Sequence, residues 1–239
     1  MFRHSLLRIV AVVVLASEMG AGPKDDLQSA IKQLADSANY SWSSTVDGGF
    51  AGRKIEGRIE KDGPVSLTIN YGDDAYGLII IGDKAAAKGA AGWASTADLE
   101  RSADEEGDAF GPERFLLSTI RNFKSPAEQA KDLCDRLEAV QKSGDEYSAD
   151  LSPDAAKQLL LNFRRRADNP DPLKIEVKNP NGSLKCWISD GRLTKMQVHV
   201  QGTLSSNGKD RTTDRTTTTE IKSVGSTKIE VPDEARAKL

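Results

Sequence analysis

The sequence contains few of the residues that build the commonest catalytic and metal sites. Its 239 residues include two cysteines and two histidines, and aromatic residues account for 5%. His199 is the one histidine outside the N-terminal segment, and no Gly-x-Ser-x-Gly motif supplies a nucleophile for a Ser/His/Asp site. One histidine and two distant cysteines do not form a familiar zinc site either. The composition therefore predicts a protein that is not an enzyme and needs no cofactor.

Short matches to catalytic or calcium-binding motifs are present but incomplete. Ser29-Ala30-Ile31-Lys32 fits the S-x-x-K pattern of penicillin-recognising serine enzymes, but no K-T-G element accompanies it. Asp73-Asp74 and the acidic segment 98–108 lack the alternating spacing of a calcium-binding loop. We interpret these stretches as a solvated helix surface, a turn and a loop.

Charge of one sign is not concentrated anywhere in the chain. The formal net charge is −3, and no run of five basic residues occurs. Proteins that bind nucleic acids usually present a basic patch, so we predict no nucleic-acid partner. The net charge would not attract the protein to anionic lipid head groups either.

Long apolar runs are absent except near the N-terminus. There the run Ile9 to Ala16 follows Arg3 and Arg8 and precedes the small residues Gly20 to Gly22. A basic region, a short apolar region and small residues in this order are typical of a signal peptide. We predict a signal peptide over residues 1–22 and a periplasmic or secreted mature chain without a transmembrane segment. An uncleaved membrane anchor is the alternative.

The two cysteines, Cys134 and Cys186, are the candidates for a disulfide. An oxidising compartment would permit the bond, which would join a helix to the central strands and stabilise the fold by about 4 kcal/mol in the loop-entropy model. The alternative is two separate buried thiols that pack as small apolar side chains.

Apolar and polar residues alternate over long parts of the chain, as they do in half-buried strands. Residues 54–60 and 65–71 form one such pair, and residues 173–200 contain three alternations. The latter are separated by Asn179-Pro180-Asn181-Gly182 and by Asp190-Gly191. Asn-Gly and Asp-Gly favour hairpin turns, so the pattern predicts an antiparallel meander.

Two other stretches depart from simple alternation. Leu78-Ile79-Ile80-Ile81 is apolar on both faces, which predicts a strand that is covered on both sides. Lys209 to Glu220 is rich in threonine and charge on both faces. Threonine favours strands, so this segment is predicted to be an edge strand or a strand with both faces solvated.

Helical periodicity occurs near the start of the chain and in its middle. Residues 25–39 place apolar side chains at helical spacing, and a helical section spans about residues 95–166. Ser125 to Glu128 matches a capping box that opens one of its helices. The order helix, strands, helices, strands predicts an α+β fold with a single domain over residues 23–239. In it, a curved antiparallel β-sheet forms an unclosed half-barrel with helices packed on its concave face.

A concave sheet covered by helices can enclose a cleft for an apolar ligand. The apolar residues of the predicted strands that would line it are Ile55, Ile59, Val65, Leu67, Ile69, Leu78, Ile80, Met196, Val198 and Val200. The alternative is that these residues simply form the hydrophobic core, because every half-buried sheet shows such alternation.

Two segments of the sequence resemble a known group of proteins. They are Ser223 to Ala235, which includes Thr227-Lys228-Ile229-Glu230-Val231-Pro232, and Trp187 to Leu193. Together with the order of elements, they resemble the LolA/LppX-like superfamily of lipoprotein and lipid carriers. The resemblance implies an unclosed β-barrel, helices that plug its mouth, and non-covalent binding of acyl chains. It also implies a lid-holding arginine, for which Arg53 and Arg58 are the candidates.

Three hypotheses about function follow. The first is an exported, non-catalytic protein that binds an apolar ligand such as a lipid or the acyl chains of a lipoprotein. The second is an exported structural or interaction module with a filled core and no ligand. The third is a hydrolase with a nucleophile that no motif identifies.

Overall fold

The computed structural model describes residues 22–48, 53–71, 74–106, 111–162, 175–206 and 208–239. Several predictions concern residues outside these ranges and remain predictions. They are the signal peptide up to residue 21, Asp73 of the acidic pair, the end of the helical section beyond residue 162, and the first residues of the meander, 173 and 174.

Helices occur at the start, in the middle and at the end of the described chain. They are α1 (Pro23–Ala35), α2 (Thr96–Glu106), α3 (Pro112–Arg121), α4 (Pro126–Cys134), α5 (Pro153–Asn162) and α6 (Asp233–Arg236). None of the helices within the described ranges combines the length and the apolar character needed to span a membrane.

Eleven strands form one sheet in the described part of the chain. Before the helical section they are β1 (Asn39–Asp47), β2 (Lys54–Glu60), β3 (Val65–Tyr71), β4 (Asp74–Ile81), β5 (Lys84–Gly89) and β6 (Gly92–Ser95). The later strands are β7 (Gln141–Ser143), β8 (Glu146–Asp150), β9 (Glu176–Ser189), β10 (Arg192–Ser206) and β11 (Lys209–Lys222).

The strand order is β6-β5-β4-β3-β2-β1-β11-β10-β9-β8-β7, and each neighbouring pair is antiparallel. The two end strands, β6 and β7, do not pair with each other among the described residues, so the sheet is not closed into a barrel. Strand β1 joins the N-terminal strands to the C-terminal ones through β11. The predicted α+β fold with an unclosed antiparallel half-barrel is confirmed.

Helices α1 to α5 belong to a layer on one face of the sheet, which we call the concave face. Helices α1 and α5 contact β9 and β10, α3 contacts β5, and α4 packs on α1. Side chains from these helices and from this face of the sheet form one main hydrophobic core. Full burial of one leucine or isoleucine side chain stabilises a fold by roughly 1.5–3 kcal/mol, so this layer is the main source of stability.

The capping box that the sequence predicts at the start of α4 is present. The Glu128 backbone N–H donates to Ser125 Oγ at 3.3 Å, and the Ser125 backbone N–H donates to the Glu128 carboxylate at 2.7 Å. These two bonds satisfy backbone donors that the first turn of a helix leaves without partners. Helix α4 then buries Ala130, Leu133 and Cys134 against the core.

A second, smaller apolar cluster lies on the opposite, convex face. Ile79 and Ala86 of neighbouring strands pack there with Ala235 of α6, and Ile81 and Leu239 pack against them. The C-terminal segment therefore covers β4 from the side that the other helices leave open. The prediction that the strand Leu78–Ile81 is covered on both faces is confirmed.

The predicted turn at Asn179 to Gly182 is wrong. Strand β9 runs continuously from Glu176 to Ser189, and the register against β10 shifts by one residue between Gln201 and Thr203. Asn179 has a φ of 50°, which a β-bulge can accommodate as well as a hairpin turn can. The segment therefore bends a long strand and does not end it.

The predicted edge strand Lys209 to Glu220 is also wrong. Strand β11 lies in the interior of the sheet, between β1 and β10. On its concave side Arg215 and Thr219 are buried, so that face is not solvated. Hydroxyl groups permit this position, because Ser44 and Thr219 share a hydrogen bond of 2.8 Å and Gln197 donates to Thr218 at 3.2 Å.

Candidate functional site

The ten predicted lining residues lie on the concave face. Directly paired residues in an antiparallel sheet project to the same side, and Ile55 pairs with Ile69 while Leu67 pairs with Leu78. The pairing of β2 with β1, of β1 with β11 and of β11 with β10 carries this face on to β10. There it includes Met196, Val198 and Val200. All ten belong to the main core or pack against it.

Burial divides the ten residues into two groups. Those that are fully buried are Val65, Leu67, Ile69, Leu78, Met196 and Val200. Those that remain half-buried are Ile55, Ile59, Ile80 and Val198. The first group is occupied in packing against the helices, whereas the second leaves apolar surface at the boundary of the helical layer. Their role as ligand contacts stays a prediction.

Aromatic residues that the sequence did not identify as lining residues extend this face. The Trp42 indole lies directly over Gly57, where a Cβ atom would come within 2.1 Å of the ring. Its ring stacks on Phe123 with centroids 6.4 Å apart, and Tyr40 lies 5.8 Å away. Strand β1 places Trp42 on the concave face, and tertiary packing brings Phe123 to it.

Helix α3 meets the sheet along a boundary of half-buried apolar side chains, which we call the α3 seam. Phe115 contacts Tyr76 of β4 edge-on, with ring centroids 6.0 Å apart. The seam consists of half-buried residues of β2, β4 and α3 and the residue shortly after α3: Ile55, Ile59, Tyr76, Ile80, Phe115 and Phe123. These side chains are only partly covered by the helices.

A cavity of about 290 Å³ lies between α2 and α3. Its lining residues are Glu100, Ala103, Asp104, Arg114, Leu117 and Arg121. Arg121 forms an ion pair with Glu100 at 2.8 Å, and Arg114 donates to the Ala103 carbonyl at 3.0 Å. None of the ten predicted residues lines this cavity, which is a small charged cleft between helices and lies apart from the α3 seam.

The concave face becomes polar at one end. Arg215 of β11 is 5% exposed and lies opposite Val200, and Arg53 stacks over the Phe115 ring at 5.0 Å from its centroid. Burial, and after it the positive charge of Arg53, lowers the pKa of the Arg215 guanidinium to about 10. Of the two arginine candidates that the resemblance implies, Arg53 is on the concave face, whereas Arg58 is exposed on the convex face.

The other residues tested for chemistry lie apart from this face. His199 is on the convex side, where its Nε2 is 2.9 Å from a carboxylate oxygen of Asp214. Ser29 is exposed on α1, and the neighbouring Lys32 forms an ion pair with Asp36. Among the described residues no group of three or more histidine, cysteine or acidic side chains could hold a metal ion.

Both cysteines are fully buried in the main core, and no bond joins them in this structure. Cys134 is the last residue of α4, and Cys186 pairs with both Met196 and Tyr147 in the sheet. Burial raises the pKa of Cys186 to about 12, with a further contribution from Cys134, so the two sulfur atoms are neighbours. The predicted disulfide stays a prediction.

No protein-family model matches the sequence, and no curated protein sequence matches it significantly. The crystal structure of the Mycobacterium tuberculosis lipoprotein LppX is similar with a TM-score of 0.47 and 6% identity, over 88% of this chain and 98% of that chain. The structure of LprF from Mycobacterium bovis is similar with a TM-score of 0.45 and 10% identity, over 89% of this chain and 97% of that chain. At this identity and TM-score the two similarities assign neither a family nor a ligand to this chain.

Proposed function

We propose that this protein is an exported, non-catalytic protein that binds an apolar ligand with a long hydrocarbon chain, such as a lipid or a lipoprotein acyl chain. The observation that supports the proposal is the α3 seam. There Ile55 and Ile80 of the sheet and Phe115 of α3 are half-buried and pack against the main core. Clustered apolar side chains that stay partly open to solvent are typical of ligand grooves.

A long hydrocarbon chain can bind along the α3 seam only if the helical layer moves, because the side chains of the seam pack against the main core. The cavity of about 290 Å³ between α2 and α3 is a separate cleft at the lower limit of small-molecule pockets, which measure roughly 300–1,000 Å³. In this proposal the hydrocarbon chain enters where α3 separates from the sheet. Helix α3 has 10 residues, and isolated helices shorter than about 12–15 residues are marginal in water. The position of α3 therefore depends on its apolar contacts with the sheet, and the hydrocarbon chain of a ligand could replace those contacts.

Native mass spectrometry of the full-length gene product, purified from the periplasm or the medium, tests the proposal directly. We expect co-purified lipid on a chain whose mass corresponds to loss of about 22 residues, the predicted signal peptide. A chain that retains Met1, or one that carries no lipid and takes up none after delipidation, would contradict export or binding respectively.

A matched pair of variants tests whether the α3 seam is the binding site. Ile80 and Ile81 are adjacent in β4 and both half-buried, but Ile80 packs on the concave core and Ile81 on the convex cluster. Displacement of Nile red, an uncharged dye that fluoresces in apolar sites, would measure affinity. Because glutamine must lose its hydration to contact a hydrocarbon chain, we expect Ile80→Gln to weaken binding by about tenfold or more. Ile81→Gln should lose similar stability but keep the affinity; equal losses of affinity would refute the location.

The second candidate function is an exported structural or interaction module without a ligand. The observation that favours it is the full burial of six of the ten predicted lining residues, among them Ile69 and Val200. A packed concave face needs no ligand to explain its apolar residues. Absence of bound lipid together with absence of Nile red uptake would support this function.

A further inference from the structure

Two arginines lie at the same end of the concave face, where its apolar rows stop. The Val46 backbone N–H donates to the Arg53 carbonyl at 3.3 Å, so Arg53 continues the row of Ile59 and Ile55 on the same side of β2. Val46 also pairs with Thr217, and Arg215 is two residues further along that strand. Arg53 and Arg215 thus project from β2 and β11 on either side of β1.

The chain passes close to Arg215 just after β1. A Cβ atom on Gly48 would come within 3.4 Å of the Arg215 Cα and 2.2 Å of the Asp214 carbonyl oxygen. Gly48 also has a φ of 77°, which other residues rarely adopt. Between Arg53 and β11, the half-buried side chain of this face on β1 is that of Val46.

The guanidinium groups of Arg53 and Arg215 lie within electrostatic reach of each other. Transfer of a guanidinium group out of water is unfavourable, and a second positive charge nearby adds repulsion. Both effects are visible in the lowered pKa of Arg215, to which burial and the charge of Arg53 contribute. Groups whose ionisation is perturbed in this way concentrate at functional sites.

The cationic end is continuous with the α3 seam. The guanidinium group of Arg53 lies over the Phe115 ring at 5.0 Å, and Phe115 in turn contacts Tyr76. A hydrocarbon chain that follows the seam from Ile59 past Ile55 would end beside Arg53. One molecule could therefore contact apolar side chains along its length and both arginines at its end.

We propose that the ligand is an amphiphile with an anionic head group, a carboxylate or a phosphate, which Arg53 and Arg215 bind while its hydrocarbon chain occupies the α3 seam. The inference rests on the proposed function. An arginine can donate two parallel hydrogen bonds to a carboxylate or phosphate, and such charge-assisted bonds are among the strongest in proteins.

Acidic side chains border the site on its other side. Burial raises the pKa of the Tyr76 hydroxyl, and the charges of Asp74 and Glu113 raise it further. Both carboxylates lie within electrostatic reach of Tyr76, and Asp74 pairs with Tyr71 in the strand next to β2, so they flank the site on the Arg53 side. The anionic head group is placed between the arginines, towards Arg215 and β11.

Wild-type protein alone provides the first test. Displacement of Nile red is compared for palmitate and its neutral counterpart monopalmitoylglycerol, and for palmitoyl lysophosphatidate, which carries a phosphate. From the usual strength of hydrogen bonds to charged groups, we expect at least one anionic ligand to bind about tenfold or more tightly than the neutral one. Preference for palmitate would indicate a free fatty acid, and preference for lysophosphatidate a phospholipid head group.

Variants then test whether Arg53 and Arg215 cause the preference for an anionic ligand. Arg53→Gln and Arg215→Gln should each lower the affinity for the preferred anion about tenfold while leaving monopalmitoylglycerol nearly unchanged, because the lost bonds involve only the charged group. Arg215→Lys keeps the charge at the buried position and checks that folding is retained. Arg58→Gln is the matched control, since Arg58 is on β2 but exposed on the opposite face.

The outcomes separate this inference from the proposed function. Equal affinity for anionic and neutral ligands, or a preference that survives both glutamine variants, overturns the inference and leaves the apolar site in place. Failure of all three ligands to displace Nile red, with no lipid in native mass spectrometry, overturns both.

Discussion

Gly57 is the residue at which one added methyl group should have the clearest structural effect. It lies in β2 between Trp42 of β1 and Leu67 of β3 in the register of the sheet. A Cβ atom there would be 2.1 Å from Trp42 Cζ2 and 2.2 Å from Cε2. Real Cβ atoms do not approach ring carbons so closely, so Gly57→Ala must move either the strand or the indole.

The loss in the free energy of unfolding that Gly57→Ala causes depends on which group has to move. The strand is fixed on both sides by ladder hydrogen bonds, so the Trp42 indole would shift away from Phe123, on which it stacks. Overpacking a core typically costs about 1–3 kcal/mol. Replacing glycine by alanine in a strand interior returns roughly 0.5–1 kcal/mol of backbone entropy. We expect a net loss of about 1–2 kcal/mol in the free energy of unfolding.

Urea denaturation followed by far-UV circular dichroism would measure this loss, and near-UV circular dichroism would report the altered packing of Trp42. Gly89→Ala is the matched control. Gly89 ends β5 in the same sheet, and a Cβ atom built there has no neighbour within 4 Å. Its unfolding free energy should change by no more than about 0.5 kcal/mol, or increase slightly.

A double-mutant cycle identifies the cause. In a Trp42→Leu background the ring that the new methyl group would meet is absent, so Gly57→Ala should cost at least about 1 kcal/mol less than in the wild type. If Gly57→Ala is as stable as the wild type, or is equally harmful without the indole, the explanation by contact between Trp42 and Gly57 is wrong.

Two further predictions concern the helical layer and the core thiols. Ser125→Ala removes the capping box of α4 and should lower the unfolding free energy by about 1 kcal/mol, whereas Ser143→Ala on the exposed edge strand β7 should have no measurable effect in the same denaturation assay. Because burial raises the pKa of Cys186 to about 12, this thiol stays protonated well above its usual range, so iodoacetamide should label it at pH 8 only after denaturation. Rapid labelling of Cys186 in the native protein would contradict its burial. If neither cysteine is labelled in denaturant under non-reducing conditions, the predicted disulfide is present.

The sequence predicted the parts of the fold that depend on local pattern. Alternation identified the strands around Lys61 to Pro64, and the spacing from Ser125 to Glu128 identified the start of α4. Asn179 was misinterpreted because a residue with positive φ serves a hairpin turn and a β-bulge equally well. Only the pairing of β9 with β10 distinguishes the two, and that pairing is a long-range contact.

Strand β11 shows a second limit of local pattern. Its threonines predicted a solvated strand, but the partner that satisfies Thr219 is Ser44, far away in the sequence. The α3 seam could likewise be predicted only in part from local pattern. Ile55, Ile59 and Ile80 were identified from alternation, whereas Phe115 and Phe123 belong to a separate helical segment whose position on the sheet has no local signal.

The position of Arg215 connects the energetics of the fold to the proposed site. Its concave-face neighbour is Val200, and a buried ionic group can often be replaced by apolar residues with no loss of stability, or with a gain. Its burial therefore does not by itself indicate a role in stability. What the guanidinium group provides in the proposed site is a positive charge beside the end of the α3 seam, which is where the head group of an anionic amphiphile would lie.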